Sequence, residues 1–155
     1  MNSMKYKPFP FQFIIMVLIT CFTIFSSISS AEELYKINFL KAQELDKEGF
    51  FEDSVTYWEK TIEANPPGNI TLYSKLKLAN TYSRLTQLDK ALALTQSLTL
   101  TNPNDFDSWF HLANILAAKK QYPRAIEAFK KTTELKPKEG LGRVGLAIAY
   151  FGNRQ

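Results

Sequence analysis

Ala79, Ala113 and Ala147 lie 34 residues apart, and the same interval separates Ala91 from Ala125 and Pro103 from Pro137. Self-similarity at one fixed spacing marks stacked copies of a small unit, and this period is the length of a helix–turn–helix unit. A single unit cannot bury its own apolar face, so about three copies are needed for a continuous core. The period therefore predicts an all-α stack of helix pairs.

The unit is clearest over 106–139. Trp109, Leu112, Ala113, Leu116, Ala125, Phe129 and Pro137 follow the order W-x2-L-G-x2-Y, A-x3-F, P, with Ala in place of Gly and Leu in place of Tyr. This pattern resembles the tetratricopeptide repeat. A second copy over 72–105 holds Leu78, Ala79, Tyr82, Ala91 and Pro103, but has Lys75 where Trp is usual and Thr95 where an aromatic is usual. A third, over 35–68, runs through Ala42, Leu45, Ser54, Trp58 and Pro66; its spacing to the next copy is 37, because Asn69-Ile70-Thr71 lengthen the loop. A partial copy over 140–155 supplies Leu146, Ala147 and Tyr150. The resemblance implies a right-handed α-solenoid of about three and a half repeats, occupying 32–155.

The physics of the pattern stands beside the resemblance. Small residues at Ala42, Ala79, Ala113 and Ala147 let paired helices approach closely, while Leu, Tyr, Trp and Phe at helical spacing fill the space around them. Pro66, Pro103 and Pro137 remove an amide donor and restrict the preceding residue, so each second helix should end just before them. Helices are expected at 33–47, 52–64, 70–85, 89–101, 105–119, 122–135 and 140–152. The last is expected to pack on the third repeat through Leu146, Ala147 and Tyr150. Ile148 and Phe151 are left over as a C-terminal interface for another subunit, in a helix weakened by its glycines.

The first 31 residues differ in kind. Lys5 and Lys7 precede a stretch without charge from Pro8 to Ala31, apolar from Phe13 to Phe25 and closing on Ser29-Ser30-Ala31. That order of basic, apolar and small-residue regions reads as a signal peptide over 1–31, cut after Ala31. The apolar heart is short for a spanning helix, which needs about 20 residues, but an uncleaved membrane anchor is the alternative. Leu18-Ile19-Thr20-Cys21 only faintly resembles a lipoprotein box. Cys21 is the one cysteine, so the chain after the leader carries no thiol and depends on packing rather than disulfides. The expected location is the bacterial periplasm, or the inner membrane if the leader stays.

Charge is divided unevenly. From Glu32 to Gly68, four Lys stand against nine Asp and Glu, a balance of −5; from Asn69 to Gln155, thirteen Lys and Arg stand against six acids, a balance of +7. Much of this is solvated outer helix surface, as at Lys119-Lys120 and Lys130-Lys131. The small net charge of an exported chain disfavours nucleic acid as a partner.

Catalytic chemistry has little to build on. His111 is the sole histidine, no Gly-rich phosphate loop follows a strand, and no nucleophile, base and orienting group assemble. The reading is non-enzymatic, with no cofactor and no metal. The carboxylates Glu44, Asp46, Glu48, Glu52 and Asp53 cluster at a helix corner, where they are expected to be solvated and partly engaged in capping. Asn69-Ile70-Thr71 is a formal glycosylation acceptor, meaningful only in a eukaryotic secretory pathway.

What such a fold supplies is a surface. The resemblance places the first helix of each pair along the concave side that solenoids use for binding. Two rows are expected there: Phe39, Leu76, Phe110 and Val144 in one, Gln43, Asn80, Asn114 and Ile148 in the other. An apolar row beside an amide row suits an extended peptide, whose backbone the amides can pair. Asn at that place is also common throughout the family. Members that clamp a chaperone's carboxylate tail need Lys and Asn where this chain has Phe39 and Gln43, and basic residues where it has Asp107 and His111. The expected function is a protein-binding adaptor or assembly factor. The alternative is a membrane-tethered scaffold that self-associates.

Overall fold

Seven helices and no strand make up residues 32–154, the part of the chain that the computed structural model describes. The leader, read over 1–31, lies outside the described residues. Helix α1 covers 32–48. It is followed by α2 (Phe51–Glu63), α3 (Gly68–Arg84), α4 (Leu88–Thr101), α5 (Phe106–Ala118), α6 (Tyr122–Leu135) and α7 (Gly140–Gly152). Each helix from α2 onward packs on the next, and α3 also meets α5 as α5 meets α7. The first helices of successive pairs are thus neighbours, which is the stacking of an all-α helical solenoid.

The small residues lie where the helices approach. Ala42, Ala79 and Ala113 are fully buried, and so are Ser54, Ala91 and Ala125 on the partner helices. Trp58 and Phe129 fill the adjoining space. Thr95 takes the same place in the middle repeat, where its hydroxyl donates to the Ala91 carbonyl at 2.9 Å and so is satisfied without a partner from another helix. Glu63, Thr101 and Leu135 end their helices shortly before Pro66, Pro103 and Pro137. Gly49, Thr86 and Lys120 follow α1, α3 and α5 at equivalent places and all have positive φ, of 87°, 59° and 58°. At the start of α5, the Asp105 carboxylate accepts from the Ser108 amide at 2.7 Å and its hydroxyl at 2.6 Å, a side-chain cap.

Helix α7 departs from the expected register. Gly142, Gly145 and Ala149 are its buried residues, whereas Ala147 is exposed, Tyr150 is 47% exposed and Leu146 is only partly covered. The glycines are a contact surface: a Cβ on Gly142 would meet Thr132, one on Gly145 the ring of Phe129, and one on Gly152 the ring of Tyr122. Ala147 is open because, among the described residues, no second helix lies over it as α6 lies over Ala113.

Candidate functional site: an amide-lined groove on the first helices

A cavity of about 540 Å³ opens between α1 and α3. Its lining includes Gln43, Asp46, Lys47 and Glu48 from α1, and Tyr73, Lys77, Asn80 and Arg84 from α3. The four α3 residues share a face because their spacing follows the helical repeat. A second cavity of about 180 Å³ continues toward α5, lined by Tyr73, Leu76, Lys77, Asn80, Asp107 and His111. Tyr73, Lys77 and Asn80 border both, so the two form one track across three first helices.

The wall between α1 and α3 is set by Asp46. One carboxylate oxygen accepts from Ser54 at 2.6 Å and Thr81 at 3.1 Å, and the other accepts from the Trp58 indole at 3.0 Å. This corrects the expectation of a solvated corner carboxylate: Asp46 ties α1, α2 and α3 together. Beneath it, Phe39 meets Trp58 edge-on at 5.5 Å and Tyr73 at 5.6 Å.

Two cations on this track are held without a counter-ion. The Lys77 ammonium lies 5.3 Å from the Tyr73 ring centre and the Arg84 guanidinium 5.2 Å from that of Phe51. Neither forms a salt bridge among the described residues. At the far end, burial holds the His111 imidazole below its ordinary range; Asp107 opposes that shift and Lys77 adds to it. Another cavity, of about 640 Å³, lies between α5 and α6 under Trp109. There Lys130 pairs with Glu127 and Lys131 with Glu134, while Arg124 donates to the Gln121 amide oxygen at 2.7 Å.

The expected groove residues are distributed unevenly. Gln43, Leu76 and Asn80 line the two cavities. Phe39 packs inward, and Phe110 stacks on Phe106 at 5.8 Å and meets Phe129 at 6.1 Å. Asn114 is exposed and donates to the Phe110 carbonyl at 2.9 Å, while Val144 and Ile148 stand exposed on α7. Tyr73, Lys77, Arg84 and His111 were not foreseen as lining. Continuing the helical spacing from Asn80 in both directions would have found the first three. Among the described residues, no group of three His, Cys, Asp or Glu side chains gathers to hold a metal, and no helix is long and apolar enough to cross a membrane.

Residues 76–140 match the tetratricopeptide repeat family. No curated protein sequence matches the chain. Solved structures similar to it include the P58(IPK) TPR domain, with 19% identity and a TM-score of 0.69 over 87% of this chain and 37% of that one. A second is the first TPR of Spaghetti (RPAP3) bound to an HSP90 peptide, with 15% identity and a TM-score of 0.70 over 79% of this chain and 95% of that one. A third is MamA from Desulfovibrio magneticus RS-1, residues 41 to the end, with 19% identity and a TM-score of 0.66 over 80% and 66%. The present chain thus spans little more than a third of the P58(IPK) structure. At these identities the likeness is one of fold, an α-helical tetratricopeptide-repeat solenoid.

Proposed function

We propose that this protein is a non-catalytic adaptor that receives an extended peptide segment of a partner protein along α1, α3 and α5. The observation that carries this reading is the joining of two amides, Gln43 and Asn80, with the unpaired Lys77 and Arg84 on one continuous track. Amides supply both a donor and an acceptor to a peptide backbone, and the cations favour a segment bearing Asp or Glu. Peptide capture by the RPAP3 repeat domain supports the reading at the level of the fold. A chaperone tail is disfavoured, because Phe39, Gln43, Asp107 and His111 stand where tail-clamping relatives need other residues.

Fluorescence anisotropy with a set of short extended peptides, with and without acidic residues, tests the proposal. Asn80→Ala should weaken binding by a hydrogen bond's worth, roughly 0.5–1.5 kcal/mol. Lys77→Ala and Arg84→Ala should weaken acidic peptides selectively and remove salt dependence. Equal affinity for all peptides in parent and variants would place the partner elsewhere. The proposal extends to location: the chain works outside the cytoplasm after cleavage beyond Ala31. N-terminal sequencing should then begin at Glu32; an intact Met1 in the membrane fraction would favour the anchor.

A further inference from the structure

Both ends of the stack present a first helix with an uncovered face. At the front, α1 exposes Glu33, Ile37, Leu40 and Glu44, with Ile37 at 65% and Leu40 at 64%. Ile37 holds the place that Ser74, Ser108 and Gly142 hold in the later first helices, and all three of those are buried. For α7 the cover is α6, whose Thr132 meets Gly142. No such helix precedes α1 among the described residues. At the back, α7 exposes Arg143, Ala147 and Tyr150, bordered by Val144 at 59% and Phe151 at 68%, and Arg154 is exposed in the turn just beyond the helix.

The two faces have the same layout and opposite charge. Glu33-Ile37-Leu40-Glu44 and Arg143-Ala147-Tyr150-Arg154 both step by four, three and four residues, with the charges outermost and the apolar residues between. Helical spacing puts Glu33 to Glu44 on one face of α1 and Arg143, Ala147 and Tyr150 on one face of α7, with Arg154 following in the turn after α7. Glu44 is already bonded to Lys41 at 2.8 Å, and Arg143 donates to the Pro137 carbonyl at 2.7 Å. Glu33 and Arg154 form no salt bridge among the described residues. An antiparallel crossing sets Glu44 against Arg143 and brings Glu33 toward the turn that carries Arg154. Pairing α7 with α7 would instead oppose arginines, and α1 with α1 would oppose glutamates. The wider division of charge, −5 from Glu32 to Gly68 and +7 beyond it, acts in the same sense.

We infer that the protein associates head to tail, the α7 face of one copy docking on the α1 face of the next. Such a heterologous contact propagates into an open chain unless the rotation closes a ring. It uses none of Lys77, Asn80 or Arg84, so the peptide track stays available in every copy, and the inference does not depend on the function proposed above.

Sedimentation velocity of the purified protein over a concentration series, at low and high salt, tests the inference. The parent should grow beyond a dimer with concentration and dissociate with salt. One variant, Ile37→Ser with Leu40→Ser, spoils only the front; another, Tyr150→Ser with Phe151→Ser, spoils only the back. Each alone should be monomeric, and an equimolar mixture should stop at a one-to-one dimer, since each retains one good face. Arg143→Glu should weaken association at least tenfold, and Glu44→Arg in the same chain should restore it, with circular dichroism confirming unchanged helix content. A parent that is monomeric at every concentration overturns the inference. So does a front variant that dimerises by itself, which would mean that α7 pairs with α7.

Discussion

Ser74 and Ser108 are one period apart and both fully buried, yet their hydroxyls fare differently. Ser108 donates to Asp105 at 2.6 Å, whereas the Ser74 hydroxyl has no partner among the described residues. A buried polar group without a partner costs roughly 1–3 kcal/mol. Ser74→Ala should therefore raise the urea midpoint, and Ser108→Ala should lower it; a fall in both would show that Ser74 has a bonding role. His111 gives a pH signature. Its folded-state pKa lies below 6.5, chiefly through burial, so the unfolded chain binds the proton more readily. The His111 contribution is intact above that value and is lost as pH falls from it toward the lower folded-state value. The urea midpoint of the parent should drop across this window more than that of His111→Gln. As the only histidine, it accounts for the difference between the two curves. Identical curves would mean that burial does not hold the imidazole neutral.

At the scale of the element, α7 shows how a local penalty becomes a packing surface. Glycine in a helix interior is roughly 1 kcal/mol less favourable than Ala, which is why the sequence reads as a weak helix. In the fold, Gly145 lies against the ring of Phe129, itself only 1% exposed and set edge-on to Phe110 at 6.1 Å. An added Cβ forces α7 away from α6, and overpacking of this kind costs about 1–3 kcal/mol. Gly145→Ala should therefore destabilise despite its better propensity, whereas Gly140→Ala, with open space around it, should be neutral or mildly stabilising. Thermal unfolding of the two variants checks the contrast; an equal gain in both would mean that α7 does not sit closely on α6.

At the scale of the whole molecule, the stack consists of three helix pairs and a seventh helix, one side of which meets α6 while the other is bare. The period placed Ala42, Ala79 and Ala113 in close helix contacts, and each is fully buried. The same rule failed at Ala147, because burial needs a covering helix as well as a suitable residue. Asp46 was equally hidden from a linear reading: Ser54 and Trp58 come from α2 and Thr81 from α3, and nothing local to Asp46 announces them. Lys77 and Arg84 were legible in principle, since helical spacing alone puts them on the face of Asn80, but their lack of counter-ions required the packed arrangement. By itself, then, the sequence determined the helical class, the near-limits of the helices and the small positions of each complete pair, all of which follow from backbone restriction and periodicity within about one repeat. Only the tertiary structure decided which side of α7 is buried, what Asp46 holds together and which cations remain unpaired. Those outcomes depend on contacts between helices remote along the chain.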